Sequence, residues 1–121
     1  MIVICRPLST DLKGHYEVVV VGSGYGGTIA ASRLAWAGRR VCLLERGKEL
    51  VPGEYPETGP EAQREVQIDF PDCHVGPRTG LYDIRVNDDL SVFQGCGLGG
   101  TSLVNAKVSL RADERVFNDA R

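Results

Sequence analysis

Glu17-Val18-Val19-Val20-Val21-Gly22-Ser23-Gly24-Tyr25-Gly26-Gly27 is the stretch that decides the fold. Four consecutive valines form a short, β-branched, uniformly apolar run, the pattern of a strand buried on both faces of a parallel sheet. The run ends at Gly22 and feeds directly into a glycine-rich turn. Beyond the turn, Ala30, Leu34 and Ala37 recur at helical spacing, and Gly38 stands where a helix C-terminus favours positive φ. A second apolar run, Val41-Cys42-Leu43-Leu44, then ends at Glu45. Strand, turn, helix and strand fit within about thirty residues, the length of a nucleotide-binding βαβ unit.

Each glycine has its own task in such a unit. Gly22 permits the tight turn, Gly24 lets the backbone approach a pyrophosphate, and Gly27 lets helix and strand pack closely. The helix N-terminus supplies N–H groups and a partial positive charge to the phosphates. Glu45 lies twenty-one residues after Gly24, where a carboxylate can accept hydrogen bonds from ribose hydroxyls. A 2′-phosphate would be repelled there, which disfavours NADP. The plain structural alternative is a tight turn followed by a surface glutamate.

A second glycine-rich segment, Gly95-Cys96-Gly97-Leu98-Gly99-Gly100-Thr101-Ser102, follows about seventy residues later. Its glycines exclude a regular strand or helix and predict a loop that opens into a short helix near Thr101. Such a loop aligns N–H donors against an anionic or polarised ligand atom, and Asn105 adds a side-chain amide. A flexible hinge is the alternative.

The combination GSGYGG, Glu45-Arg46-Gly47 and GCGLGGTSLVNA resembles the amino-terminal part of glucose-methanol-choline oxidoreductases, and among them the cholesterol oxidase type. The resemblance runs from Tyr16 to Phe117 and rests on two separated motifs in the same order and spacing. It implies FAD as cofactor. Gly22, Gly24, Tyr25, Gly26, Gly27 and Glu45 would hold the ADP part, and Gly100, Thr101, Asn105, Ala106 and Val108 would line the pyrophosphate and flavin. It further implies hydride removal from a CH–OH carbon of an alcohol or sterol to the flavin, with a base taking the hydroxyl proton and oxygen or another acceptor reoxidising the flavin. The chain departs from the sterol-oxidase pattern at Thr101 and Ala106, where glycines are frequent, so backbone and flavin would approach less closely. The family's catalytic histidine and its partner lie further downstream than Arg121. The expectation is therefore an incomplete portion of a larger FAD-binding domain, inactive alone, with residues 1–15 as an N-terminal extension and 16–121 as the FAD-binding portion.

Two alternatives remain open on the residues. A nicotinamide enzyme could use GxGxxG with Glu45 equally well, although it has no evident need for the second loop. A non-catalytic nucleotide-binding fragment is the other.

Composition sets wider bounds. With 42% hydrophobic residues and a formal charge of −2, the 121 residues fit one soluble globular unit with no basic patch for nucleic acid. Met1-Ile2-Val3-Ile4-Cys5 is too short for a signal-peptide core and no run reaches membrane-spanning length, so a cytoplasmic location is expected. Cys5, Cys42, Cys73 and Cys96 are scattered without metal or redox spacing. Cys42 reads as strand packing, and Cys96 as a small residue in a tight turn. His15 and His74 have no visible acid or nucleophile partner. Trp36 falls off the apolar helix stripe.

Residues 48 to 80 hold five of the six prolines and predict an irregular connection, with a short helix over Glu61–Ile68 behind Pro60. Tyr82, Ile84 and Val86 alternate with polar residues before Asn87-Asp88-Asp89, and Leu90 to Phe93 return, which predicts a β-hairpin. The fold class expected is α/β, a Rossmann-like βαβ unit with an added hairpin. Asp113 to Arg121 reads as the start of a helix or turn.

Overall fold

The computed structural model describes residues 2–5, 13–106 and 108–118, the first of these as backbone only. The βαβ unit is present. Strand β2 (Val18–Val21) leads into helix α1 (Tyr25–Trp36) and then into β3 (Val41–Leu44), which pairs with β2 in parallel register, Val18 opposite Val41 and Val21 opposite Leu44. A third parallel strand, β1 (Ile2–Cys5), pairs with the other edge of β3. Sequence reading assigned two parallel strands and missed this one, because a four-residue apolar run without alternation or a turn signal carries little local information.

The core lies between α1 and this sheet. Ala31, Val41 and Leu43 are buried, and Val18, Val20, Leu34 and Ala35 pack around them. The helix thus faces the sheet through Ala31, Leu34 and Ala35, and Ala30 and Ala37 of the expected stripe are exposed. Leu34 belongs to both faces, with Ala31 and Ala35 standing in for Ala30 and Ala37. Trp36 is exposed, with the Arg33 guanidinium 5.8 Å from its ring centroid. Gly38, at φ +81°, ends the helix as expected: its N–H bonds to Ala35 O and that of Arg39 to Leu34 O.

A second sheet follows, in the order β5-β4-β6-β7. It is entered through α2 (Gly59–Arg64), which Thr58 and Glu61 start with a reciprocal capping box. The helix expected over Glu61–Ile68 ends at Arg64, and Val66–Asp69 forms strand β4 instead. Parallel pairing of β4 with β6 (Tyr82–Arg85) overrides the local helical signal. β5 (His74–Val75) pairs antiparallel with β4. The hairpin of β6 with β7 (Val92–Gly95) forms, its return strand starting at Val92 rather than Leu90 and running into Gly95, and the rings of Tyr82 and Phe93 stack diagonally across it at 6.2 Å. β7 delivers the chain to the second glycine loop, which closes into a 3-10 helix, Gly100–Leu103. A short helix, α3 (Glu114–Phe117), capped by Asp113, lies beyond it.

Candidate functional site: two glycine loops around one serine

The first loop leaves β2 through Gly22, whose φ of +90° is one that a side chain would oppose. At Gly27 a Cβ would run into the Gly22 carbonyl, so this position must be glycine for helix and strand to approach. Gly24 is different. It caps α1 with φ −63° and ψ −175°, an extended conformation open to any residue, and a Cβ there would meet nothing within 4 Å. The folded chain itself therefore gives little reason for glycine at this position. Space beside the backbone is what a pyrophosphate needs.

The helix N-terminus is open as well. The first intrahelical bond is Thr28 N–H to Gly24 O at 2.9 Å, so the N–H groups of Tyr25, Gly26 and Gly27 precede the ladder. Gly24 makes no side-chain cap bond and the first turn holds no acidic residue. An anion is the natural occupant of such an end. A cleft of about 210 Å³ runs along it, lined by Ser23, Gly24, Tyr25, Thr28, Ile29, Gly99 and Ser102.

Ser23 ties the pieces together. It is 2% exposed, and its hydroxyl donates to Glu45 Oε2 at 2.6 Å and accepts from Gly99 N–H at 2.9 Å. The Ser23 N–H also donates to Glu45 Oε2, at 2.9 Å, and its carbonyl accepts from the Thr28 hydroxyl at 2.6 Å. One side chain thus joins the first loop, the carboxylate after β3 and the second loop. Ser23 is inconspicuous in the sequence because both of its side-chain partners, Glu45 and Gly99, lie far along the chain. A polar residue between two glycines was the available signal.

Glu45 stands just after β3, as expected, and its Oε1 accepts from Gly47 N–H at 2.8 Å. Burial pushes the carboxyl up, but the Ser23 hydroxyl and the N–H groups of Gly47, Ser23 and Arg46 outweigh it and hold the group below its ordinary range. The residue is ionised at neutral pH, suited to accepting hydroxyl donors and to repelling a phosphate.

The second loop lies against the first. Leu98 N–H donates to Lys48 O at 2.8 Å, and a Cβ on Gly100 would stand 2.8 Å from the Gly24 Cα. Across the opening, Asn105 Nδ2 donates to the Tyr25 hydroxyl at 2.6 Å. Gly22, Gly24, Tyr25, Gly26, Gly27, Glu45, Gly100 and Asn105 therefore gather in one place. Thr101 follows Gly100 in the 3-10 helix. Ala106 and Val108 lie on the exposed stretch beyond, with Ala106 at φ +53° and Val108 61% exposed.

The remaining candidates sort by burial. Cys42 and Cys96 are buried and Cys73 is exposed, and burial pushes the Cys96 thiol up, away from the thiolate. Among the described residues no group of three or more histidines, cysteines or acids could hold a metal ion. His74, read as lacking an acid partner, has one: its Nδ1 lies 2.7 Å from Asp69 Oδ1 and its Nε2 lies 2.9 Å from Gly76 O. The partner is hidden in sequence because strand pairing of β4 with β5 creates it.

Open N–H groups, room beside Gly24 and an ionised glutamate after β3 define a dinucleotide site of the Rossmann type. The sequence profile of the FAD binding domain matches residues 17–51, the βαβ unit and its glutamate, and this makes the cofactor FAD. A cholesterol oxidase of Mycobacterium tuberculosis is 32% identical over 111 residues, 89% of this chain and 18% of that protein. A long-chain-alcohol oxidase of Arabidopsis thaliana is 33% identical over 104 residues, 85% of this chain and 12% of the relative. An (R)-mandelonitrile lyase of Prunus serotina is 32% identical over 108 residues, 89% and 18% respectively. The chain belongs to the glucose-methanol-choline oxidoreductase family. It spans less than one fifth of the length of these relatives.

Proposed function

We propose that this chain is the FAD-holding portion of an enzyme that oxidises the CH–OH group of an alcohol or sterol. The observation that carries the reading is Gly24: a residue whose backbone and surroundings admit a side chain, kept free of one beside an uncapped helix N-terminus. The names of two relatives, a cholesterol oxidase and a long-chain-alcohol oxidase, support the substrate class.

In this reading the N–H groups of Tyr25, Gly26 and Gly27 receive the pyrophosphate, and Glu45 receives the ribose hydroxyls of the adenosine half. Gly100, Thr101, Asn105, Ala106 and Val108 border the pyrophosphate and flavin half. When bound, FAD supplies a two-electron acceptor for a hydride from carbon. The chain's own share is binding and orientation: fixed N–H groups replace water around the phosphates, and Ser23 holds the carboxylate in place. The site residues named here supply no acid or base for the hydroxyl proton, so they are expected to bind cofactor without themselves turning over alcohol. A cytoplasmic location belongs to the same proposal.

The test is titration of the chain with FAD, NAD and NADP, read by flavin fluorescence and by displacement. Tighter binding of FAD than of NAD supports the proposal, and preference for NAD overturns it in favour of a nicotinamide enzyme.

A further inference from the structure

The second sheet carries a row of polar residues at a place where apolar ones would pack more simply. Gln67 of β4, Asp83 of β6 and Gln94 of β7 are register partners in adjacent strands, and Gln67 and Asp83 are both 0% exposed. Burying such groups is costly unless they are engaged. What engages them is Arg46. Its Nη2 pairs with Asp83 Oδ2, and its Nη1 donates to Gln67 Oε1 at 3.3 Å and to Arg78 O at 2.8 Å. Asp83 Oδ2 also accepts from Gln94 Nε2 at 2.9 Å and Arg85 Nη2 at 3.3 Å.

Arg46 lies between Glu45 and Gly47. Its guanidinium is held by the second sheet and that sheet's connections, while the neighbouring Glu45 carboxylate goes to Ser23 and Gly47. The turn is thus anchored from both sides by successive residues. We propose that Arg46 and Asp83 are a positioning pair for Glu45, seating the second sheet against the βαβ unit so that the carboxylate is preset for the ribose. The inference rests on the FAD reading above. It assigns the buried polar row a task that a purely structural core would not require.

The test is a mutant cycle on FAD affinity, measured by fluorescence quenching on the full chain, with circular dichroism confirming the fold of each variant. Arg46→Gln should weaken FAD about tenfold, the size of coupling expected within one bonded network, and Arg46→Lys should restore part of the loss. Glu45→Gln should weaken it further. The double variant, Glu45→Gln with Arg46→Gln, should bind no more weakly than Glu45→Gln alone, because Arg46 acts through Glu45. Asp83→Asn should reproduce Arg46→Gln. If Asp83→Asn fails to fold, Arg46→Gln carries the test: its side chain is half exposed, and Asp83 keeps Arg85 and Gln94 as partners. Additive losses in the double variant, or an unchanged affinity in Arg46→Gln, would overturn the pair while leaving the FAD reading intact. A folded wild-type chain that binds no FAD would overturn both.

Discussion

Ser23 donates its hydroxyl proton to Glu45 Oε2 at 2.6 Å, joining the tight turn after the first strand of the βαβ unit to the carboxylate after the second. The same hydroxyl accepts from Gly99 N–H at 2.9 Å, so both glycine loops meet at one oxygen atom. On the proposed function, cofactor affinity and folding are coupled at Ser23.

Replacing Ser23 by alanine removes both bonds and leaves the Gly99 N–H without its acceptor. The expected cost is about 1–3 kcal/mol of stability, measured by urea unfolding, together with weaker FAD binding. Threonine, which keeps a hydroxyl, should retain part of both. Equal losses in the two variants would show that the hydroxyl is not what matters.

Gly24 and Gly27 should respond in opposite ways. Gly24→Ala keeps an allowed backbone and meets nothing within 4 Å, so stability should change by no more than about 1 kcal/mol while FAD affinity falls sharply. Gly27→Ala drives a Cβ into the Gly22 carbonyl and should destabilise the fold before any ligand is added. Thermal melts of the two apo variants, with FAD titrations beside them, separate the cases.

The Glu45 carboxyl titrates below its ordinary value of 4.5 in the folded chain. A depressed carboxyl contributes stability that is present above its unfolded pKa and lost as pH falls through the folded one. Asp69, lowered chiefly by its hydrogen bond with His74, acts in the same direction. Stability should therefore decline below about pH 4.5, and Glu45→Gln should flatten that decline in melts taken across the acid range.

Tyr25 and Asn105 join the loops across the cofactor opening, eighty residues apart in sequence, at an exposed position. Tyr25→Phe should cost at most about 1 kcal/mol of stability. It should also speed FAD release, read by stopped-flow displacement. An unchanged release rate would show that this bond does not restrain the cofactor.

The sequence made the βαβ unit legible because its signals are local: four valines, glycines at fixed offsets, and an apolar run ending in an acid. The β6–β7 hairpin was legible for the same reason, through alternation around Asn87-Asp88-Asp89. What stayed hidden depends on pairing between distant segments. Val66–Asp69 looks helical alone and becomes a strand beside β6, Ile2–Cys5 finds its place only against β3, and the buried face of α1 is the one packed on the sheet. In the site, the glycines and Glu45 were readable because each has a stereotyped task. Ser23, Arg46 and Asp83 were not, since the pairings of Ser23 with Glu45 and Gly99 and of Arg46 with Asp83 span 22 to 76 residues.

The most direct test is retention of flavin. The purified chain is mixed with FAD, desalted, and examined by visible absorption and by circular dichroism, with Gly24→Val and Glu45→Ala variants alongside. A flavin spectrum that stays with the wild-type chain and is lost from both folded variants is the expected result. A folded wild-type chain that elutes without flavin, yet binds NAD, would contradict the account.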